Sequence, residues 1–568
     1  MSMNGTKPNR TSGRMLWAAA ALACLLPAAA PGAVYTTTWK SGGGSGTWAS
    51  TDGGANMWYR FDDGWDIRRE DLANGQWSSS GTKNPNAIVF ANGDQATMTV
   101  NAEGGAEHQI NQIWFSNSTS RTFAQDGGAY LKIMGDGTSK IEAASGSGTG
   151  TYTFSVPLLL AKGVQINPVG GNLTFNNAIT NGGYWIDVYG ANQKALTIGG
   201  VLTGSGGVAV KQDSIVVITN NNTFTGGLWV EKGTVQLGGH TNAVGIGAPV
   251  NVGTNATLDL NYGAVTLWPA SVNLYGTGTN ANWGALRKTT SGATTLRGCV
   301  VTVGADSRIV ASAGNLHFYS NIVIGANTLY VTNVNAMNMN GGEMTGSKTT
   351  GDGALRKSGA GNFLLRPGSG LTGSIFLDQG AILQDTGNSS VLPSGGILAM
   401  SNGVTYQPES ATARAVAKET RLDGDVTLGY SGYGRLTFSA NMNLAGGQRS
   451  ITTPSEVTIS GAITNGGLTK AGAARLILLG ANTYALGTTI SAGVLQIGSN
   501  GTAGAVSGNI TNSSALTFYR SDATTFGGVI SGAGVLTNLA GTLTLSGANT
   551  LSGASTVAGG MVVVSGSL

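Results

Sequence analysis

Apolar and polar residues alternate over short stretches of this chain, and glycine or asparagine separates the stretches. Two tracts, 465–497 and 531–564, follow one pattern in different letters. Counted from an asparagine, apolar residues stand at plus 8, plus 13 and plus 15, and a glycine stands at plus 11. Since alternate side chains of a strand point to opposite faces, this array predicts a solenoid of short β-strands in which neighbouring coils bury each other's apolar faces. The structural repeat positions are Asn222 and Gly233, Asn482 and Gly493, and Asn549 and Gly560.

Similar short alternating runs begin at Ala87, and glycine, asparagine or aspartate turns separate them. A sustained helical period is missing from the sequence, and only Ala411–Thr420, with four alanines, favours about two helical turns in a connecting loop. Longer motifs also recur, as in the two GALRK segments at 284–288 and 353–357. With β-helix coils of roughly 20 to 25 residues, the distance between such motifs predicts a unit of about three coils.

Composition agrees with a solenoid and excludes disorder. Of 568 residues, 92 are glycine, 41% are hydrophobic and only 10% are charged, so the chain is too apolar to stay unfolded and too rich in glycine for helices. Repeat folds grow along one axis and not around one core. We therefore expect one elongated body and not several globular domains.

Residues 1–33 have the pattern of a secretory signal peptide. Lys7, Arg10 and Arg14 precede an apolar run, Met15–Leu26, and small residues follow. Pro27 makes this run too short for a membrane anchor, and the alanine-rich approach to Cys24 fits a lipoprotein box poorly. Export to the cell surface or exterior is therefore predicted, with no transmembrane segment in the mature chain.

Removal of that segment changes the charge and the cysteine content. It takes away three basic residues and no acidic ones, so the formal charge falls from +4 to +1, and a nucleic-acid partner is not expected. Cys299 is then the one remaining cysteine, which excludes an intramolecular disulfide framework.

Residues 34–86 differ in composition from the repeats and predict an N-terminal cap. Tryptophans and charges are a common means of covering the open end of a solenoid. The acidic group at 62–71 lacks the alternating ligands of a calcium loop and stands beside arginines. A solvated ion-pair surface is therefore favoured over a metal site. The tryptophans of the cap are Trp39, Trp48, Trp58 and Trp65.

The repeat tract NGGLTKAGAARLILLGANTYALGTTISAGVLQIG, 465–498, resembles the autotransporter-associated β-strand repeat of exported bacterial passenger regions. Further copies lie at 204–238, 353–385 and 531–566, the third of these being strong and 353–385 weak. The resemblance implies a right-handed parallel β-helix over 87–568 at the cell surface, and it brings no catalytic residues. The last residues, Met561–Leu568, end inside a repeat with no translocator strands after them, which indicates either a fragment of a longer product or another export route.

Candidate chemistry is sparse. The three histidines, His108, His240 and His317, have no metal-pair spacing, and we expect neither a cofactor nor a metal. An alternative function is a β-helix polysaccharide lyase or glycosidase, which requires clustered carboxylates on one face. The weak catalytic candidates are Glu419, Asp423 and Asp425, around Arg421.

The leading hypothesis is an exported structural or adhesive protein that is not an enzyme. Its solenoid faces and loops would bind macromolecules, either extracellular polysaccharide or another surface protein. Loops on a rigid scaffold usually carry such contacts, and Tyr330–Thr350 and Tyr406–Asp425 are predicted to be those loops.

Overall fold

A computed structural model describes most of the chain beyond residue 120 and short strands before it. The described residues are 35–41, 44–50, 76–77, 88–90, 97–100, 107–110, 112–115, 120–125, 127–134, 139–143, 150–191, 193–261, 265–280, 283–338, 344–346, 353–385 and 391–567. The predicted signal peptide and the acidic group at 62–71 lie outside them. In the predicted cap, Tyr35–Ser41 pairs antiparallel with Gly44–Ser50.

The described chain is all β, without a helix, and its parallel strands stack as a β-solenoid of about 18 turns. The predicted parallel β-helix is thus confirmed. Each complete coil has three sides, which we call faces A, B and C in chain order, and each strand pairs with the strand of the same face in the next coil. Four long strands turn a corner and serve two faces: Leu228–Leu237 and Pro249–Asp259 run from A to B, and Ala293–Val303 and Asn315–Val323 run from C to A.

Face A contains strands that carry exposed aromatic side chains. Its strands are Ile88–Phe90, Gln112–Phe115, Ser139–Ala143, Val164–Pro168, Ile186–Val188, Val208–Val210, 228–230, 249–252, Ser271–Leu274, 300–303, 321–323, Met344–Gly346, Pro367–Leu371, Val391–Leu392, Arg414–Val416, Leu436–Phe438, Val457–Ile459, Arg475–Leu478, Val494–Gly501, Ala515–Arg520, Val535–Asn538 and Ser555–Val557.

Faces B and C complete each coil. Face B contains Gln76–Trp77, Thr97–Val100, Arg121–Gln125, Thr151–Ser155, Asn172–Phe175, Ala195–Ile198, Ile215–Ile218, 234–237, 255–259, Leu286–Lys288, Ser307–Ala311, Thr328–Asn333, Ala354–Ser358, Ser374–Leu377, Ile397–Met400, Glu419–Leu422, Met442–Asn443, Ile463–Thr464, Ala523–Phe526, Thr542–Leu545 and Met561–Val564. Face C contains Glu107–Ile110, Tyr130–Ile133, Leu158–Leu160, Ile179–Thr180, Leu202–Thr203, Val265–Leu267, 293–297, 315–319, Met337–Asn338, Asn362–Leu365, Ala381–Gln384, Val404–Pro408, Val426–Leu428, Gln448–Thr452, Gly467–Ala471, Thr488–Ile490, Ile510–Asn512, Ile530–Gly532 and Thr550–Leu551.

The core is a continuous apolar channel inside the three faces. Alternate residues of each strand point inward, as the alternation of half-buried and buried residues in Thr151–Ser155 shows. Identical side chains stack there between coils: Phe154 lies with its ring centroid 4.6 Å from Phe123 and 4.6 Å from Phe175. Such stacking buries apolar surface in every coil and also fixes the register between neighbours.

Coil length varies along the solenoid. Leu468 pairs with Thr488 across a short coil, whereas Val272 pairs with Val301 across a longer one. The short coils agree with the predicted length of roughly 20 to 25 residues, and the longer coils contain insertions at the corners between strands. Neighbouring coils can therefore keep their pairing while the loops between faces differ.

Two local predictions are wrong. Ala411–Thr420 is not helical, and Tyr406–Asp425 is not a loop that interrupts the coils. Instead Arg414–Val416 and Glu419–Leu422 are consecutive strands of the solenoid, and Tyr406 is fully buried. The pairing of Arg414 with Leu436 and Val416 with Phe438 outweighs the helix propensity of the alanines, because propensity is a weak preference beside parallel packing.

Each sequence repeat is a pair of stacked coils. In 465–498, Gly467–Ala471 pairs with Thr488–Ile490, and Arg475–Leu478 pairs with Val494–Gly501 in the next coil. The same relation holds in the other three predicted copies, including 353–385. The shared spacing of apolar residues within a copy is therefore the spacing that places its second coil on its first.

Equivalent repeats occupy different faces. The copy at 465–498 begins on face C, whereas the copy at 531–566 begins on face A, so Lys470 and its sequence counterpart Asn538 do not lie in one column. Three pairing steps from Lys470 reach position 532, before the chain arrives at Asn538. Lys470 and Asn538 are therefore separated by three coils and one further face. The predicted unit of three coils is too short for this pair. The two GALRK segments, in contrast, both lie on face B.

The corner asparagines join three coils. Asn482 is almost fully buried, and its Oδ1 accepts a hydrogen bond from the backbone N–H of Ile463 at 2.8 Å. Its Nδ2 donates to the carbonyl of Ala505 at 2.7 Å, on the opposite side. Asn222 and Asn549 form the same pair of contacts with their own neighbouring coils. The amide thus satisfies buried backbone groups where the strand ladder is interrupted.

Buried lysines bond the backbone carbonyls of the glycine corners. Lys357 and Lys470 stand at equivalent positions of two repeats and are fully buried. The Nζ of Lys470 donates to the carbonyls of Ala471 at 2.9 Å and Gly472 at 2.7 Å in its own coil, and to Ala492 at 3.0 Å in the next. Lys357 makes the equivalent three contacts. In the last repeat the Nδ2 of Asn538 takes this role.

These lysines give stability a pH dependence of defined sign. Burial lowers the pKa of Lys357 and of Lys470 from 10.5 to about 8. Between these values the unfolded chain binds more protons than the folded chain, so the free energy of unfolding rises with pH. We expect a gain on the order of 1–2 kcal/mol per lysine between about pH 8 and pH 9.5, measured by urea denaturation.

Tyrosine ionisation sets the upper limit of that gain. Burial raises the pKa of Tyr484 to about 12, so above about pH 10 the unfolded chain loses tyrosine protons first and stability falls. The double variant Lys357→Asn, Lys470→Asn is the control and should show little increase. Flat or falling stability of the native chain over the lower window would contradict the assignment.

Candidate functional site

The predicted acidic candidates lie together on faces B and C but mainly in structural contacts. The guanidinium of Arg421 donates two hydrogen bonds of 2.8 Å to Asp423, and this contact raises the pKa of Arg421. Asp425 accepts a hydrogen bond of 2.8 Å from the backbone N–H of Ser450 in the next coil. Glu419 lines a shallow groove with Phe376, which lies two strands away on face B. Two of the three carboxylates are thus committed to stabilising the coils.

The histidines do not form a site within the described residues. No group of three metal-ligating side chains occurs there, and His108 is described only by its backbone. His240 accepts a weak contact from its own turn, and burial lowers the pKa of His317 on face C. In the part of the chain that the structure describes, we also find no helix with the length and apolarity needed to span a bilayer.

The most distinctive surface is a set of exposed aromatic side chains that we call the aromatic face. It lies on face A, and at the corner leading into that face, over seven consecutive coils. Because parallel strands are spaced by about 4.8 Å, six steps between coils make a strip of roughly 29 Å. Its exposed fractions are high for rings of this size, between 40% and 46% for Trp229, Trp268, Tyr275 and Tyr319. The aromatic face comprises the exposed Tyr184, Trp229, Trp268, Tyr275 and Tyr319 and the half-buried Trp185.

Small residues between the aromatic coils allow the rings to lie on the sheet. The indoles of Trp185 and Trp229 meet edge to face with centroids 6.3 Å apart. Between them the intervening coil presents Gly207 and Ala209, and a Cβ on Gly207 would lie 2.7 Å from the Trp185 ring. Likewise the ring of Tyr275 occupies the space of a side chain at Gly304. These rings are therefore held against the backbone, so they lose little conformational entropy when a ligand binds.

Arginine fixes the aromatic residues at the corner. The Arg297 guanidinium lies between two rings, 5.3 Å from the centroid of Trp268 and 5.3 Å from that of Tyr319. The three residues stand in one column of three consecutive coils, because Arg297 pairs with Tyr319 and Trp268 follows the strand that pairs with 294–296. Cation–π contacts of this kind orient both rings outward.

Polar groups lie beside the rings. Asn251 and Asn273 stack on face A, with the Nδ2 of Asn273 donating to the Oδ1 of Asn251 at 2.9 Å. Lys211 pairs with Glu231 at 3.1 Å near Asp187, and burial, as the largest cause, raises the pKa of Asp187. A strip of rigid aromatic rings with amides and a balanced ion pair can stack on the C–H faces of sugars and bond their hydroxyl groups.

Sequence reasoning did not identify this surface. Its members are far apart in the chain, as Trp185 and Trp229 are, and no single motif contains them together. The available signal was positional: each ring lies within, next to or a few residues before a strand, and coil spacing brings such positions to one side. The predicted binding loop Tyr330–Thr350 lies partly outside the described residues, and its strands belong to the coils.

Comparison with known proteins agrees with the repeat geometry. The sequence family described as passenger-associated-transport-repeat matches residues 214–237, 468–497 and 540–564. These matches fall within three of the four predicted copies; 353–385 lies outside them. Over 51 residues the chain is 55% identical to the adhesin BmaC autotransporter of Brucella suis biovar 1 (strain 1330). That stretch is 9% of this chain and 2% of the adhesin. No solved structure matches the chain significantly.

Proposed function

We propose that this chain, which carries autotransporter passenger repeats folded into a parallel β-solenoid, is an exported adhesive protein. It would act at the cell surface or beyond and bind extracellular polysaccharide along the aromatic face. The repeat matches and the similarity to part of an autotransporter adhesin support export and adhesion. The single observation that supports polysaccharide as the ligand is the strip of outward-facing rings over seven coils.

A polymer ligand fits this surface better than a small molecule. The strip is long and open, so it offers repeated contacts to repeated sugar units and not one enclosed site. Each ring adds a modest stacking energy of about 0.5–1.5 kcal/mol, and several in a row add by multivalency. Its charges are balanced, as in the Lys211–Glu231 pair, which does not favour a strongly anionic protein partner.

The test is retention of the purified chain on a panel of plant and algal polysaccharides. We expect binding to at least one polymer, and the double variant Trp229→Ala, Trp268→Ala should weaken it at least tenfold because two rings of the strip are lost. The matched control is Tyr430→Ala, Tyr433→Ala, which removes an exposed aromatic pair outside the aromatic face and should leave retention unchanged.

Other results would decide against the proposal. Equal retention of both double variants would show that the aromatic face does not bind the polymer. Binding of a surface protein, without binding of any polysaccharide, would show that the partner is a protein. Release of reducing or unsaturated sugar ends during the assay, lost in the triple alanine variant of Glu419, Asp423 and Asp425, would support the alternative lyase or glycosidase.

A further inference from the structure

A polar cavity of about 210 Å³ lies on face B, where residues 279–280 and 283–287 meet the corners that precede the strands Ala195–Ile198 and Ile215–Ile218. It is separate from the aromatic face, because its strands belong to face B. Its lining combines amides, both signs of charge and an indole. The side chains that line it include Gln193, Asp213, Gln236, Asn280, Trp283 and Arg287.

The cationic side of the cavity is preorganised. Arg287 donates from Nη2 to Oδ2 of Asp259 at 2.7 Å, and Asp259 is buried to 1% exposure. The other oxygen of Asp259 accepts from the hydroxyl of Thr289 at 3.0 Å. The guanidinium of Arg287 lies 3.8 Å from the centroid of the Trp283 ring. Arginine and indole therefore hold each other in place, and Asp259 already balances the positive charge.

The segment that carries the indole is also anchored to the coil beneath it. Thr257 is fully buried, and its hydroxyl accepts from the backbone N–H of Thr279 at 3.1 Å and donates to the carbonyl of Gly284 at 3.0 Å. The backbone N–H of Trp283 donates to the carbonyl of Asn280 at 3.1 Å. A cavity whose walls are fixed in this way loses little entropy when a ligand enters.

On the opposite side the backbone is strained. Gln193 has φ +56°, one of four non-glycine residues with positive φ among the described residues. This conformation costs on the order of 1 kcal/mol and is concentrated at functional positions. Gln193 and Asp213 stand in register at this corner, since Ala195 pairs with Ile215.

We propose that this cavity binds one neutral glycosyl unit, such as the end or a side branch of a glycan. Among the described residues Asp213 has no ion-pair or hydrogen-bond partner, so its carboxylate can accept from adjacent sugar hydroxyls. The amides of Gln193, Gln236 and Asn280 offer donors and acceptors, and the ring of Trp283 offers an apolar wall. Since Asp259 neutralises Arg287, the carboxylate of Asp213 makes the cavity net negative and disfavours uronates and sulfated sugars.

The test uses the full mature chain and methyl glycosides of neutral hexoses, with a methyl uronate for comparison, followed by saturation-transfer NMR and calorimetry. We expect a neutral glycoside to bind in the millimolar range and the uronate to bind at least tenfold more weakly. Asp213→Asn, at an exposed position, and Trp283→Ala should each weaken binding at least tenfold. Thermal unfolding identifies any variant that does not fold. If Trp283→Ala does not fold, Asp213→Asn still tests the proposal.

The controls separate this inference from the proposed function, on which it rests only for the class of ligand. The Trp229→Ala, Trp268→Ala variant should keep glycoside binding while losing polymer retention. If the chain binds the glycoside but is not retained on any polymer, the proposed adhesive function is rejected and the cavity assignment is not. Absence of glycoside binding, equal affinity for the uronate, or binding unchanged in Asp213→Asn would overturn the cavity assignment.

Discussion

Replacing Lys470 with methionine is expected to lower the free energy of unfolding by about 2–4 kcal/mol. Methionine fills a similar volume but donates no hydrogen bond, so the carbonyls of Ala471, Gly472 and Ala492 lose the ammonium that bonds all three. The carbonyl of Ala471 keeps its bond from the backbone N–H of Thr453, whereas a buried acceptor left without a donor is among the costliest single defects in a protein. Urea denaturation and hydrogen exchange of the amides in the coils on either side would measure the loss.

The chain itself provides the matched control. Asn538 bonds with its Nδ2 the carbonyls of Gly541 and Gly559, which correspond to those of Gly472 and Ala492, and in addition the carbonyl of Met561. Lys470→Asn should therefore keep most of the stability that Lys470→Met loses. If the methionine variant is as stable as the native chain, or if asparagine is no better than methionine, the corner contacts do not stabilise the stack as described.

A second large effect is expected from Gly493→Ala, about 3 kcal/mol or more. Gly493 has φ +66°, a conformation that side chains with a Cβ rarely adopt. In addition, a Cβ there would overlap the carbonyl oxygen of Gly472 in the coil below, and that atom belongs to backbone and cannot move aside. Thermal unfolding of the variant should show a lower midpoint, and proteolysis should begin near this corner.

Gly501→Ala is the control for Gly493→Ala. Gly501 ends the strand Val494–Gly501, which Gly493 directly precedes, and a Cβ on Gly501 would meet nothing within 4 Å. We expect its effect on the midpoint to stay within the range of ordinary surface substitutions, about 0.5 kcal/mol. Equal midpoints for the two variants would show that the left-handed corner is not required.

The repeat is defined by its corners and not by a face of the solenoid. Its asparagine, its glycine at plus 11 and the buried lysine of the copies at 353–385 and 465–498 act on backbone groups of adjacent coils, and those groups are the same on every side. The first full strand of the copy at 465–498 therefore lies on face C and the equivalent strand of the copy at 531–566 on face A, while Asn482 and Asn549 form the same contacts. Binding residues, in contrast, depend on the face, and they do not recur with the repeat.

The sequence by itself determined the local structure. Alternating apolar residues between glycine and asparagine corners predicted short parallel strands stacked in coils, and the tracts around Asn482 and Asn549 predicted the passenger-type repeat. These are interactions within a few residues or between adjacent coils, so a periodic pattern encodes them. The helix expected at Ala411–Thr420 was wrong because pairing with neighbouring coils, which composition does not show, outweighs local propensity.

Only the tertiary structure decided which residues share a side. The coil that joins Val272 to Val301 is longer than the coil that joins Leu468 to Thr488, so positions on one face have no fixed sequence spacing. Trp229, Trp268 and Tyr319 come together because the insertions in the intervening coils add up, and Trp283 reaches Asp213 because one of those insertions covers face B. A repeat pattern specifies how each coil rests on the next, whereas a binding surface depends on the summed length of all the coils between its members.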